Sequence, residues 1–598
     1  METKPTLGRR MIGAEETNMP SHGKLMLWFD IPAELGIKIF AYLRPREIIR
    51  SSRVSKDWHR MCYDGQLWSM LDPARLCQGI PEAALITIIN AVGPFLRDLD
   101  LYDVQLGEHF EHGCLTEACR NLQSLSLWGC RIDRNAIHSF LNAAGTLVHI
   151  DLSGLEAATD RAMGIVAANC HKLQRLNVSW CCSISTRGLL MVIEACPDLK
   201  IVRAAKVSGW GDVKVMRQLF LRNSLEHLDL THCDTLTNES LAVLIEGNAG
   251  GISRSTGRPI VPPRRLKYLN LTRCRGISDP GIRNLVNNIP EIEDLLISGC
   301  RDISDGPLTQ LLRTTPVLAH LDIEELAPLT GAVLHSLANS RCARQLRFLN
   351  VAGCRYMDDI AMTTLLRSCK GLRALFMDNT DVSDLTLIEA AAMIRQRNLR
   401  TILADDIDIP SQPTIGLSLT AHDCPKVTWR GIREILSHNT EVITTTKTAR
   451  LQQIEMYSTG SPGRVSMTTS STSTSISQLL PTISTAPPSD NSLQQRCPMQ
   501  LITIFKDFYT CQRTVDEHTK RVLRCDIPAA QRLERKWIEF VMAQEEMEAD
   551  DDGRIFKKRK ARKAQTRLVD EIGLSARTRL SVWRRLKIRI IMAVLCCD

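Results

Sequence analysis

The amino-acid sequence predicts an α/β solenoid, a curved stack of about 11–12 strand-helix repeats. A short three-helix module stands ahead of it, and a disordered linker and a helical, basic tail stand behind. Three observations carry this prediction. An aliphatic pattern returns about every 26 residues from Leu96 onward. The Pro-started amphipathic stretch DIPAELGIKIFAYL, residues 30–43, precedes the pattern and does not share its rhythm. Beyond the pattern the composition shifts first to Ser/Thr and then to Lys/Arg.

The chain has 598 residues, 44% hydrophobic and 24% charged, an ordinary soluble composition. The length suits roughly two to four compact units. No apolar run reaches the ~18 residues of a membrane span, and the first 24 residues are polar without the apolar core of a secretory signal. The 21 cysteines belong to no small cysteine-dense scaffold, so they read as thiols of a cytosolic or nuclear chain. The net charge of +9 is a property of the tail. Between Arg554 and Arg589, 14 Lys/Arg face 2 acidic residues, an excess of +12 that leaves the rest of the chain at −3.

The module comes first. Pro32 suits the first turn of a helix, and Glu34 lies where the helix dipole favours an acid. Leu35, Ile39 and Leu43 are spaced by four on one face with Phe40 beside them, and Pro45 ends the run. A second helix, REIIRSSRV, follows, then a third, KDWHRMCYD, with Ser55 as its N-cap, and the segment closes with LWSMLD. So small a unit carries more apolar surface than it can bury alone and needs a partner.

The repeat comes next. NLQSLSLWGC, KLQRLNVSWC, SLEHLDLTHC, RLKYLNLTRC, EIEDLLISGC and QLRFLNVAGC each place aliphatics eight, five and three positions before a cysteine. The leading residues are Leu96, Leu122, Leu147, Leu173, Leu199, Leu225, Leu266, Ile292, Leu318, Leu346 and Leu372. A Gly/Pro/Ser-rich insertion makes the one long step, Leu225 to Leu266, and reads as a surface loop. A degenerate twelfth unit, GLSLTAHDCPKVTWRGIREIL, follows a loss of register over Asp405–Pro413. The spacing is that of a leucine-rich repeat, in which a strand and a helix per unit share one continuous core. The cysteines Cys130, Cys181, Cys233, Cys274, Cys300 and Cys354 hold the consensus position, and Cys119, Cys170, Cys196 and Cys369 recur three residues before a leading leucine. They are expected to be buried thiols, because no Cys-x-x-Cys spacing supports a metal site.

The module resembles the F-box. The Ile-Pro start, the Ile-Phe-x-Tyr-Leu-x-Pro block, the Val-Ser-Lys-x-Trp centre and the Leu-Trp-x-x-Leu-Asp close carry the likeness, with Ile31 standing where the family more often has Leu. With the repeat, the chain is similar to F-box/leucine-rich-repeat proteins of the cysteine-containing subtype. The resemblance implies a substrate receptor of an SCF-type ubiquitin ligase. The F-box docks on the Skp-type adaptor, which brings cullin and RING subunits, and the repeats bind a protein substrate for degradation. Ile31, Pro32, Leu35, Ile39, Leu43, Val54 and Trp58 match the family's apolar consensus; some make the adaptor interface and others hold the helices together. Two alternatives stand beside this reading. The module could be only a cap on the open end of the solenoid, and the whole chain could be a ligase-independent scaffold whose basic tail contacts nucleic acid.

No zinc spacing, phosphate-binding Gly loop or nucleophile elbow is present, so neither catalytic residues nor a cofactor nor a metal is expected. Substrate contact is expected on the concave strand face, at two, four and six residues after each leading position. Candidates are Trp128, Asp151, Arg175, Arg203, Asp229, Tyr268, Asp322, Glu324, Phe348 and Phe376. These columns also hold Asp98, Asp100, Asp294 and Asp378, making eight acids against two arginines. Such a face favours a basic ligand.

The expected organisation is a disordered N-terminus (1–24), F-box (25–72), connecting helix or cap (73–95) and leucine-rich-repeat domain (96–440, loop insertion at about 246–263). A Ser/Thr-rich linker (441–499), a small helical segment (500–548) and a basic tail (549–598) complete it. The cluster GRIFKKRKARKAQTR suits nuclear import or nucleic-acid contact, giving a nuclear or cytoplasmic location. The final IRIIMAVLCCD is too short to cross a membrane.

Overall fold

The computed structural model describes residues 32–72, 82–102, 104, 120–247, 261–403, 412–444, 496–498, 501–506, 512–548 and 554–572. Ile31, the predicted disordered N-terminus, and most of the predicted loop insertion and Ser/Thr-rich linker lie outside the described residues. The chain forms two compact units, Met1–Val148 and His149–Asp598.

In the first unit, α1 (Ala33–Phe40), α2 (Pro45–Ser51) and α3 (Lys56–Cys62) make the three-helix module. Arg44 N donates to Glu47 at 2.8 Å at the start of α2, and Ser55 Oγ accepts from Trp58 N at 3.1 Å as the predicted N-cap of α3. Phe40, Ile48, Cys62 and Trp68 are buried, and Trp58 packs edge-on against Phe40 with ring centroids 5.1 Å apart. The segment LWSMLD does more than close the module. Its Met70–Leu71 is strand β1, parallel to β2 (Asp98–Asp100), which pairs with β3 (Ser124–Ser126). The repeat sheet therefore starts inside the predicted F-box, with Trp68 in the leading position, and not at Leu96.

In the second unit one parallel sheet runs from β4 (His149–Asp151) through β5 (Arg175–Asn177), β6 (Ile201–Arg203), β7 (His227–Asp229), β8 (Tyr268–Asn270) and β9 (Asp294–Leu296). It continues through β10 (His320–Asp322), β11 (Phe348–Asn350), β12 (Ala374–Phe376) and β13 (Thr414–Thr420). Leu228 of β7 stands level with Leu269 of β8, so the insertion between them leaves the stack uninterrupted. The twelfth repeat also regains the register, with Leu375 level with Leu419 and Gly416 in the leading position. A Cβ on Gly416 would lie 2.8 Å from the Leu501 side chain, which occupies the space a leucine fills elsewhere.

Leu501 belongs to an unpredicted element. Residues 501–506 were expected to be helical; instead β16 (Leu501–Lys506) adds a parallel strand beside β13, after the antiparallel pair β14 (Val442–Thr444) and β15 (Arg496–Pro498). A short apolar run cannot be assigned by periodicity alone, and the β-branched LITIF suits a strand. Two buried asparagines pin it. Asn398 bonds Leu501 N and O at 2.7 and 2.8 Å, and Asn439 bonds Thr503 N and O at 2.9 and 2.7 Å. The described residues flanking the Ser/Thr-rich segment, Val442–Thr444 and Arg496–Pro498, pair with each other antiparallel just before β16. Helices Gln512–Leu523, Ile527–Glu548 and Arg554–Ile572 follow β16.

Two hydrogen-bond ladders join successive repeats. Consensus thiols donate to a backbone carbonyl of the preceding repeat: Cys181 to Leu152 O at 2.9 Å, Cys274 to Leu230 O at 3.0 Å, Cys300 to Leu271 O at 3.1 Å and Cys424 to Met377 O at 3.1 Å. The thiols are therefore donors with a fixed acceptor as well as buried hydrophobes. On the helical side, an Asp at a helix start accepts from the N-cap Ser/Thr of the next repeat. Asp160 takes Ser185 N and Oγ, both at 2.7 Å, and Asp359 takes Ser383 N at 2.9 Å and Oγ at 2.6 Å. Burial works to raise the Asp359 carboxyl, but these bonds and those from Thr386 hold it below the usual range.

Candidate functional site

Helix α1 divides its apolar residues between two faces. Ile37 and Phe40 close the module's core, whereas Leu35 and Ile39 are 46% and 44% exposed. Tyr42 at 91% and Val54 at 64% are also uncovered, and Pro32 is exposed. The seven predicted adaptor residues thus separate. Pro32, Leu35, Ile39 and Val54 present apolar surface to solvent, Leu43 and Trp58 are half-buried, and Ile31 lies outside the described residues. Tyr42, which belongs to the Ile-Phe-x-Tyr-Leu-x-Pro block, joins this uncovered surface although it was not among the seven.

The strand surface is less openly acidic than the residue types suggest. The residue four places after the leader accepts from the backbone N–H two residues on, closing an Asx turn. Asp151 takes Ser153 N at 2.9 Å, Asp229 takes Thr231 N at 3.0 Å and Asp322 takes Glu324 N at 3.2 Å. Asn177, Asn270 and Asn350 do the same at 3.1, 3.0 and 3.1 Å. These acids are built into the turn that ends each strand. Asp151 also accepts from Asn177 Nδ2 at 2.8 Å, Asp322 from Ser298 Oγ at 2.5 Å, and Asp294 pairs with His320. Asp378 accepts from His422 N at 2.8 Å. Glu324 accepts from Asn350 Nδ2 at 3.0 Å while burial pushes its carboxyl up.

Apart from Arg175, the predicted aromatic and cationic residues fall into three clusters. In the first unit, Trp128 is half-exposed and stacks on Tyr102 with centroids 4.5 Å apart. In the second, His227 lies flat on Tyr268 at 3.7 Å, and Arg203 Nε donates to His227 Nε2 at 3.3 Å. Burial and then the Arg203 charge push His227 down to about 4, so its ring is a neutral acceptor at neutral pH. Phe348 meets Phe376 at 5.2 Å and the edge of His320 at 6.0 Å. Arg175 is exposed on β5, the strand before β6.

A further row escaped the sequence reading. Seven residues after the leaders from Leu122 onward the backbone is left-handed, at Gly129, Gly154, Gly299 and Gly353 but also at Trp180, Lys206, His232, Arg273 and Glu325. The Lys206 ammonium lies 5.0 Å from the Trp180 ring, which meets His232 at 5.8 Å. The glycines in the same phase were the available signal.

The family model described as F-box-like matches residues 28–73, and that described as Leucine Rich repeat matches residues 169–192, 223–244 and 264–286. The chain thus carries an F-box-like segment followed by segments matching leucine-rich repeats, and it is homologous to F-box/LRR proteins. It is 20% identical over 459 residues to F-box/LRR-repeat protein 5 of Mus musculus, a match covering 68% of this chain and 60% of the mouse protein. It is 22% identical over 291 residues to the F-box protein SKIP1 of Arabidopsis thaliana, covering 45% of this chain and 86% of that one. Among solved structures, the yeast Rad7 and Elc1 complex matches at 16% identity and TM-score 0.41, covering 67% of this chain and 90% of the matched chain. The F-box match spans α1 to α3 and β1, so the family segment includes the first strand of the repeat sheet.

Proposed function

We propose that this chain is the substrate receptor of a cullin–RING ubiquitin ligase, with the F-box docked on a Skp-type adaptor and the strand surface holding a protein substrate. The observation that carries the reading is the split of α1, whose Leu35 and Ile39 stay uncovered while Phe40 and Ile37 complete a core without them. A cap has no use for that second apolar face; an adaptor groove does. The chain supplies binding, and ubiquitin transfer is performed by its partners. On the strand surface, the Arg203–His227–Tyr268 and His320–Phe348–Phe376 clusters are the proposed contacts, and the acids around them favour a basic segment of substrate.

The test is affinity co-purification of the full chain from cells, read for adaptor and cullin. Leu35→Ala with Ile39→Ala should remove both partners without lowering the melting midpoint by more than about 1 kcal/mol worth of stability, because each side chain is already half in solvent. Wild-type chain that recovers no adaptor, or a double variant that still recovers it, overturns the proposal and leaves the ligase-independent scaffold.

A further inference from the structure

The basic cluster is not a loose tail. Arg554–Ile572 is a helix that lies along Ile527–Glu548, burying Ala561, Ala564 and Leu568 with Ala543, Phe540 and Met547 on the facing helix. The cations from Lys558 onward fall into two sets. Lys560 pairs with Glu546 at 2.6 Å and Arg567 with Glu539 at 3.8 Å, so the flanking cations engage the acids of the neighbouring helix. Lys558, Arg559, Arg562 and Lys563 are exposed on the outward side and form no ion pair among the described residues. They lie within about 8 Å along the axis at a rise of 1.5 Å per residue. At its far end the helix is anchored through Glu571, which pairs with Arg521 at 2.8 Å and Lys536 at 2.5 Å.

We infer that this outward face is a docking site for the phosphodiester backbone of a nucleic acid. Four uncompensated cations on a rigid support match a polymer of closely spaced phosphates. A lipid surface fits less well, because an interfacial helix needs an apolar face to insert. Here every exposed residue from 558 to 570 is charged apart from Thr566, and the small apolar side chains are spent on the neighbouring helix. The contact reads backbone charge and carries no base specificity.

The test measures fluorescence anisotropy of a labelled 20-base-pair DNA duplex and a 20-nucleotide RNA with the full chain, beside co-sedimentation with phosphatidylserine vesicles. Lys558→Glu, Arg559→Glu, Arg562→Glu and Lys563→Glu together should weaken nucleic-acid binding at least tenfold. They should also make the log–log salt slope on the duplex shallower by about 3.6, at ~0.9 per neutralised phosphate. Adaptor co-purification and the melting midpoint should stay unchanged, which separates this inference from the ligase proposal. Absence of binding to both nucleic acids, equal binding by the variant, or tighter capture by the vesicles than by the duplex overturns it.

Discussion

Replacing Cys181 separates what a ladder thiol contributes as a donor from what it contributes as bulk. Its Sγ is fully buried and donates to Leu152 O at 2.9 Å, and the same carbonyl also accepts from Leu155 N at 3.2 Å. Cys181→Ala removes an atom of roughly methylene size, worth about 1 kcal/mol of burial, and leaves a small void. The lost hydrogen bond adds about 0.5–1 kcal/mol, at the low end because Leu152 O keeps its second partner. The expected loss is about 1.5–2.5 kcal/mol. Cys181→Ser keeps the donor, but the shorter C–O bond holds the hydroxyl further from the carbonyl, and about 0.5–1.5 kcal/mol should be lost. Urea unfolding of the full chain, comparing midpoints at equal slope, reads both values. A serine variant as unstable as the alanine variant, or less stable, would refute the donor role and leave the thiol as apolar filling alone.

Three further outcomes are expected. Asp359→Ala removes the acceptor of Ser383 N, Ser383 Oγ and Thr386 Oγ1 and should cost about 2–3 kcal/mol by urea midpoint, with Asp359→Asn milder. Burial raises Cys181 to about 11 and Cys233, Cys354 and Cys369 to about 12, above an ordinary thiol near 9. Only the unfolded chain ionises between those values, so stability should be level below pH ~9 and fall above it by up to about 1.4 kcal/mol per pH unit for each such thiol; a thermal midpoint unchanged at pH 10 would contradict their burial. Asp229→Asn with Asp322→Asn should preserve the Asx turns, as Asn177, Asn270 and Asn350 do, yet weaken capture of a basic substrate and its salt dependence, whereas alanine at either position should cost about 1 kcal/mol of stability. Unaltered capture by the asparagine pair would remove the acids from substrate recognition.

The period of the repeats, the burial of their cysteines (Cys119 lies outside the described residues) and the F-box-like segment were legible in the sequence, because each is a repeated or dense pattern of residue types. What escaped notice was set by contacts between distant segments. Gly416 looked like a lost leader because the Leu501 side chain that replaces one lies far along the chain. Met70–Leu71 is too short to signal a strand, and only its pairing with Asp98 and Leu99 defines it. The strand at Leu501–Lys506 was hidden by a helix-like polar sequence directly after it. In the candidate site, residue types were read correctly and their engagement was not. Asp151, Asp229 and Asp322 count as acids in composition, yet each has its carboxylate committed to a neighbouring backbone N–H. The exposed face of α1 was foreseen from Leu35 and Ile39, whereas Trp58 turned inward onto Phe40.

The thiol ladder also decides how this chain meets electrophiles and oxidants. The reacting species is the thiolate, and burial denies the ladder cysteines both ionisation and access. Among the cysteines whose side chains are described, Cys182 and Cys525 are the exposed ones. Cys182 directly follows the ladder residue Cys181, so two adjacent sulfurs differ wholly in reactivity. A maleimide dye or an alkylating drug should therefore select Cys182 over its neighbour. There it would stand two residues from Trp180, on the left-handed row beside Lys206, without disturbing the packed interior. The native chain thus carries its own attachment point for a reporter at the margin of its strand surface.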